Sequence, residues 1–124
     1  MEQFYTVPKF ARDASGHLNF TTAQTTATIE TVKSTAYTMY MQRIIVWIKT
    51  DAAQSLTLQD DNGTPKVIAK VSTSPGADTR WDFDFGPRGV PLTAGKSLTA
   101  TFSAAGLAGH ITWQGYQTNN ASHL

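Results

Sequence analysis

Apolar and polar residues alternate along most of the chain from about residue 23 onward, and this alternation predicts a succession of short β-strands. The strongest segment covers residues 41–50, where Ile44, Val46 and Ile48 share one face. A side chain that returns to the same face at every second residue has the period of a strand. Because the opposite face of this segment is also largely apolar, we expect a central strand that is covered on both sides.

Shorter runs of the same alternation predict the other strands. They cover residues 25–32, 55–60, 67–72, 80–85, 97–103 and 110–117. The apolar positions of all these strands form the predicted core, which consists of Ile44, Val46, Ile48, Leu56, Leu58, Val67, Val71, Trp81, Phe83, Phe85, Leu98, Phe102, Ile111 and Trp113. Turn-forming residues recur every 8–12 residues or so, which is the spacing of a sandwich or a barrel. We expect an all-β fold, an antiparallel β-sandwich with jelly-roll connectivity.

Glycine-containing segments predict the turns between these strands. Asn62 and Gly63 lie between two predicted strands, and an Asn-Gly pair supplies the two positive-φ positions of a tight hairpin turn. Residues 86–89 and 91–96 carry glycine and proline and predict two further turns.

Residues 1–22 show no sustained period, and we expect them to form an N-terminal arm before a sandwich domain over residues 23–124. The segment is too aromatic for a disordered tail, which would be poor in such residues. Its large aromatic residues are Phe4, Tyr5, Phe10 and Phe20. Two interpretations stay open: an arm laid across a surface, either its own or that of a neighbour, and a first irregular strand with its loop.

The composition agrees with an all-β chain and excludes several classes of site. The chain has 19 Thr and 8 Ser among 124 residues, which predicts sheet faces covered with hydroxyl groups. Ten basic and nine acidic residues give a net charge of +1, which does not support a nucleic-acid-binding function. The absence of cysteine excludes a disulfide scaffold, a thiolate zinc site and a cysteine nucleophile.

The chain contains no segment that predicts membrane insertion or secretion. Its N-terminus has neither the basic nor the apolar region of a signal peptide. The longest apolar run, residues 44–48, is far shorter than the roughly 20 residues that span a bilayer. We therefore expect a protein made in the cytoplasm that has no membrane partner.

Common catalytic and cofactor motifs are missing, so no catalytic residue, metal or cofactor is expected. His17, His110 and His123 are far apart along the chain and are interpreted as surface or structural residues. Asp82 and Asp84 share one strand face, which we interpret as a solvated face rather than a pair of catalytic carboxylates. Residues 60–63 lack the later acidic ligand of a calcium loop.

The three tryptophans have two possible roles. Trp47, Trp81 and Trp113 lie on three predicted strands and could form a sugar-stacking platform, but core positions are favoured for aromatic residues of a sandwich. Trp47 differs from the others because it shares its face with Arg43 and Lys49. Aromatic and arginine side chains are enriched at protein interfaces, so this mixed face predicts a subunit interface.

Residues 83–98 (FDFGPRGVPLTAGKSL) resemble the small β-sandwich virion proteins of tailed bacteriophages. In those proteins a strand that ends in Phe-Gly-Pro leads through a Pro-Leu-x-x-Gly-Lys-x-Leu turn to the next strand. The resemblance to those proteins extends to three other segments: residues 103–109, the Gly-Tyr-Gln sequence at 115–117 and the predicted strand–turn–strand segment at 50–61. The resemblance covers about residues 40–117.

This resemblance implies a virion structural protein of the capsid decoration or head-fibre kind. It implies a homo-oligomer, most often a trimer, whose partners are the major capsid protein or other virion proteins. The alternative is a carbohydrate-binding sandwich of a tail fibre or of another adhesion component, which would need exposed aromatic side chains in a line. Candidate interaction residues are Phe4, Tyr5, Phe10, Phe20, Arg43, Trp47 and Lys49.

Overall fold

The structure is a computed structural model that describes residues 11–20, 26–50, 55–72, 78–103 and 107–120. These described residues form ten β-strands. These are β1 (Arg12–Asp13), β2 (Gly16–Phe20), β3 (Thr26–Glu30), β4 (Tyr37–Thr50), β5 (Ser55–Asp60), β6 (Val67–Ser72), β7 (Asp78–Asp84), β8 (Val90–Pro91), β9 (Leu98–Phe102) and β10 (Leu107–Asn119).

The strands form two antiparallel sheets. The six-stranded sheet has the order β1-β10-β4-β7, with β2 also paired to β10 and β8 also paired to β4. The four-stranded sheet has the order β3-β9-β5-β6. From β2 to β5 the chain passes from one sheet to the other at every connection. Strands β5 and β6 form a hairpin within the four-stranded sheet. The chain then passes to the opposite sheet again at β7, at β9 and at β10. This alternation is the jelly-roll connectivity that the sequence predicts.

The core lies between the two sheets and confirms most of the predicted positions. Ten of the fourteen predicted core residues are buried, including the whole apolar phase of β4 from Ile44 to Ile48. Trp81, Phe83 and Phe85 point toward the core but are only partly buried, because β7 lies at the edge of its sheet. Met39 and Met41, which the sequence analysis did not include, are fully buried.

A β-bulge in β4 explains why the alternation in the sequence did not predict either methionine as a core residue. Met41 pairs with Gly115 and Arg43 pairs with Gln114, so Gln42 is an extra residue on β4. An extra residue reverses the inward and outward phase of the strand. Met41 and Ile44 therefore both point inward although three positions separate them.

The predicted core position of Val67 is wrong, because its side chain is 53% exposed. The pairing of β5 with β6 shifts between Leu58 and Gln59, and Gln59 pairs with Val67. Ile68 is thus an extra residue on β6. This extra residue reverses the phase of β6, so Ala69 and Val71 point into the core whereas Val67 points toward solvent.

Strands begin earlier than residue 23, which corrects the predicted start of regular structure. β1 and β2 both pair with β10, so residues 12–20 belong to the six-stranded sheet. Phe20 is 3% exposed, and its ring lies 5.0 Å from that of Phe102. Phe20 is therefore a core residue and not an exposed interaction residue. The alternation of β2 is weak in the sequence because the strand has only five residues and glycine holds one of its three inward positions, which leaves Leu18 and Phe20 as the apolar ones.

The hairpin between β5 and β6 is built differently from the predicted Asn-Gly turn. Neither Asn62 nor Gly63 has a positive φ. Instead, the buried carboxylate of Asp60 accepts hydrogen bonds from the backbone N–H groups of Asn62 and Lys66 at 3.2 and 2.9 Å. The buried Asp60 side chain therefore stabilises this loop through hydrogen bonds to the loop backbone.

Candidate functional site

The candidate site is the outer surface of the six-stranded sheet, on the side away from the core. Its residues occupy the strand positions that alternate with the buried ones. We call this surface the mixed face, and define it by His17, Asn19, Arg43, Ile45, Trp47, Arg80, Asp82, Asp84, His110, Thr112 and Gln114. The β10–β4 pair runs through its middle, and β2 and β7 form its two sides.

Three aromatic rings form a row across the centre of the mixed face. Trp47 and His110 are cross-strand partners, and their rings stack with centroids 5.2 Å apart and planes at 28°. The ring of His17, on β2, lies 5.1 Å from that of His110 at 46°. The sheet therefore brings together two histidines that are 93 positions apart along the chain, a proximity that sequence reasoning missed.

Hydrogen bonds fix the orientation of the His17 ring. Its Nε2 lies 3.0 Å from Oδ1 of Asn19, and its Nδ1 lies 2.8 Å from Oγ1 of Thr112. Because the amide oxygen is an acceptor, the neutral ring carries its proton on Nε2 and accepts from the Thr112 hydroxyl at Nδ1. Both nitrogens are engaged, so His17 presents a fixed ring rather than an available base.

An ion pair lies on the β7 side of the mixed face. Arg43 donates to both carboxylate oxygens of Asp82, with its Nε 2.9 Å from Oδ1. The hydrogen bond from Arg43 lowers the pKa of Asp82, and the same bond raises the pKa of Arg43. Both side chains stay largely accessible at 48% and 38% exposure, so the pair can also meet groups from outside.

Two shallow, open depressions extend along the mixed face. One lies between Arg43 and Thr112, the other lies between Ser15 and Gln42, and Gln114 lines both. The second depression lies beside the β4 bulge. Neither encloses a volume that would surround a small molecule on most sides, as ligand pockets usually do. The mixed face is thus a nearly flat surface with two shallow depressions.

The outer side of the four-stranded sheet has a different chemistry. We call it the hydroxyl face, and define it by Thr28, Ser55, Thr57, Gln59, Lys70, Ser72, Thr99 and Thr101. Thr101 pairs with Thr57, and Thr57 pairs with Lys70, so hydroxyl groups continue from strand to strand. Val67 is the large apolar side chain exposed at its edge. This face agrees with the predicted hydroxyl-covered sheet surface.

The structure separates the predicted interaction residues. Arg43 and half-buried Trp47 lie on the mixed face, whereas Trp81 and Trp113 point to the other side of the same sheet. The three tryptophans therefore form no common platform. The backbone of Lys49 belongs to β4, but its side chain lies outside the described part of the structure. Phe4, Tyr5 and Phe10 also lie outside the described residues, as does His123.

Within the described ranges, no three histidine or acidic side chains are grouped in a way that could hold a metal ion. In the same part of the chain, no helix is long and apolar enough to cross a membrane.

Comparison with known proteins gives similarities at the level of fold. No family model and no curated protein matches the sequence. Solved structures with a similar fold include a Bacillus endospore appendage, a disulfide-linked pilus, at 11% identity and a TM-score of 0.46, covering 96% of each chain. A family 6 carbohydrate-binding module is 9% identical with a TM-score of 0.49, covering 90% of this chain and 87% of the other.

A third similar structure is that of the virus-like particle of the extra small virus of the giant freshwater prawn Macrobrachium rosenbergii. It is 9% identical with a TM-score of 0.42, and the match covers 94% of this chain and 85% of the other. None of these structures comes from a tailed bacteriophage.

Proposed function

We propose that the protein is a non-catalytic structural component of a bacteriophage virion, a capsid decoration protein that binds the head shell through its mixed face. The observation that carries this proposal is the composition of that face: a half-buried Trp47 beside His110, next to the Arg43–Asp82 ion pair on a nearly flat sheet. Aromatic and arginine side chains are the residues enriched in protein interfaces.

The shape of the mixed face favours a macromolecular partner. A sheet surface with open depressions offers contact area without enclosing a ligand. The hydroxyl face contains no aromatic side chain among the residues that define it, because these are threonine and serine together with Gln59 and Lys70. The resemblance of residues 83–98 to phage virion proteins supports the shell as the partner.

The arm is the second part of this proposal. Ala11, the first described residue, lines the depression between Ser15 and Gln42. We infer that Phe4, Tyr5 and Phe10 add apolar contacts to a neighbouring subunit or to the shell. Large apolar side chains collected in so short a segment are typical of an interaction surface.

The test uses capsids purified from virus that lacks this gene. We expect the wild-type protein to sediment with them, and Trp47→Ala and Arg43→Glu to bind at least about tenfold more weakly, since central aromatic and arginine anchors dominate interface energies. Lys70→Glu on the hydroxyl face is the matched charge reversal and should bind like wild type. Equal binding by all four proteins would disprove docking through the mixed face.

Carbohydrate binding is the second candidate, and the ring row of Trp47, His110 and His17 favours it, with Asn19 and Thr112 as hydrogen-bonding neighbours. One face of Trp47 is, however, covered by His110, which leaves less of the indole for a sugar ring. Calorimetry with host-surface polysaccharide would distinguish the two functions. Saturable binding that Trp47→Ala abolishes, without any binding to capsids, would favour a fibre or adhesion component.

A further inference from the structure

Strand β7 forms one edge of the six-stranded sheet. Its residues pair with β4 on one side, and no strand of the described residues pairs with its other side. An open edge of this kind presents a row of backbone N–H and C=O groups to any extended chain that approaches it.

The direction of these backbone groups follows from one hydrogen bond. The N–H of Phe85 donates to the carbonyl of Gln42 at 2.8 Å, so Phe85 turns its backbone groups toward β4. In an antiparallel ladder alternate residues turn the same way. The backbone groups of Arg80, Asp82 and Asp84 therefore point to the open edge.

The sequence along this edge is complementary to itself. When two copies of β7 lie antiparallel around a two-fold axis at Asp82, Arg80 of each copy faces Asp84 of the other. On the core side of the sheet, Trp81 of each copy then faces Phe83 of the other. We propose that β7 pairs in this register with β7 of a second copy, so that one sheet continues across both molecules.

The two-fold axis brings Asp82 of both copies together, and like charges opposite each other are normally unfavourable in a sheet. In this protein Arg43 already binds both oxygens of Asp82 within the same chain. The centre of the contact is thus two ion pairs side by side, with two positive and two negative charges.

Neighbouring registers are less favourable. An axis at Trp81 would place Arg80 opposite Asp82 twice, but it would also place Asp78 opposite Asp84 twice. An axis at Phe83 would place Asp82 opposite Asp84 twice and would leave Arg80 opposite Gly86. An axis at Asp82 creates two opposite-charge pairs from Arg80 and Asp84 with a single like-charge contact, the one between the two copies of Asp82. The charges along β7 therefore favour this register over its two neighbours.

Aromatic side chains add to the same contact. Trp81, Phe83 and Phe85 are only partly buried in the single chain, and the rings of Phe83 and Phe85 stack with centroids 6.4 Å apart. In the proposed pair, Trp81 and Phe83 meet at positions without backbone hydrogen bonds, where facing side chains lie closest. Pairing would cover the aromatic row that the edge leaves partly open.

This contact does not depend on the proposed function, because it uses only the β7 side of the mixed face and leaves the row of Trp47, His110 and His17 free. The two-fold axis is perpendicular to the sheet, so the mixed faces of both copies lie side by side and point the same way. A closed two-fold contact gives a dimer, which differs from the trimer implied by the resemblance.

Sedimentation equilibrium of the full-length protein tests the proposal. We expect a mass of twice the 13.5 kDa of one chain. Arg80→Asp places two Asp–Asp pairs in the contact, and Asp84→Arg places two Arg–Arg pairs there. Each variant should weaken self-association by about tenfold or more, since the two attractive charge pairs of the contact become two repulsive pairs. The double variant with both changes restores opposite charges and should dimerise again.

Lys70→Glu is the control for a charge reversal away from β7 and should dimerise like wild type. Asp84 also accepts a hydrogen bond from the Gly86 N–H at 2.9 Å, so the melting temperature of each variant is recorded to confirm that it is folded. A wild-type protein that is monomeric or trimeric would overturn the proposal. So would a dimer that survives both single reversals, or a double variant that stays monomeric. Arg80 and Asp84 also belong to the mixed face, so capsid binding is followed with Trp47→Ala, which changes no residue of β7: weak capsid binding by a dimeric Trp47→Ala would separate the two contacts.

Discussion

The carboxylate of Asp60 accepts a hydrogen bond from the backbone N–H of Thr93 at 2.9 Å, which joins the β5–β6 hairpin to the loop that precedes β9. The same carboxylate binds the N–H groups of Lys66 and Asn62. Burial alone would raise the pKa of Asp60, but the bonds from Thr93, Lys66 and Asn62 outweigh it and lower that pKa below its usual value. One fully buried side chain thus organises two loops at one end of the sandwich.

Asp60→Asn should lower the free energy of unfolding by about 2–3 kcal/mol, because the amide cannot accept at both positions and leaves a buried N–H without a charged partner. Urea denaturation followed by tryptophan fluorescence measures this loss. Asp13→Asn, at an exposed position of β1, should change stability by less than about 0.5 kcal/mol. Equal effects of the two substitutions would contradict the role given to Asp60.

Acid should destabilise the wild-type protein through the same group. The pKa of Asp60 is lower in the folded than in the unfolded chain, where it is about 3.9. The unfolded state therefore binds more protons between the two values, so stability rises with pH in this window and is lost as pH falls through the folded pKa. Unfolding free energies measured from pH 6 to pH 2 should fall less steeply for Asp60→Asn than for wild type.

Ile44→Ala should cost about 2–5 kcal/mol of stability, because Ile44 is fully buried at the centre of β4 and its loss leaves a cavity. Val67→Ala removes an aliphatic side chain of similar size from an exposed site, and should change stability by less than about 0.5 kcal/mol. Thermal unfolding of both variants measures the difference. A large loss for Val67→Ala would mean that the β6 bulge does not turn this side chain outward.

Gly109→Ala should destabilise the protein by about 1–3 kcal/mol, because a Cβ at this position would collide with the backbone carbonyl of Trp47 on the adjacent strand. Gly63→Ala is the matched control, since a Cβ there meets no atom within 4 Å. The melting temperatures of the two variants should differ by several degrees. If both melted like wild type, β10 and β4 would not approach each other as closely as described.

Alternation along the chain predicted the fold class and most of the core, because burial on one side of a sheet imposes a period of two. It failed where a strand contains an extra residue. The bulges at Gln42 and Ile68 reverse the phase, and they arise from pairing with a distant strand. No local pattern contains that information, so Met41 was missed and Val67 was misplaced.

The candidate site was predictable only in part for the same reason. Arg43 and Trp47 share a strand, so their common face could be seen in the sequence. His17 and His110 meet because β2 and β10 are neighbours in the sheet, which depends on the connectivity of the whole fold. The pairing of Asp82 with Arg43 likewise requires the register between β4 and β7.

The contrast between the two sheet surfaces limits how the protein could build up on a particle. If the mixed face meets the shell, as we propose, the hydroxyl face points outward, because the two surfaces lie on opposite sides of the sandwich. A newly arriving molecule would then find threonine and serine instead of the aromatic and charged groups that its own mixed face fits. Coating would end after a single layer, and the outermost surface of the particle would be hydrated and non-adhesive.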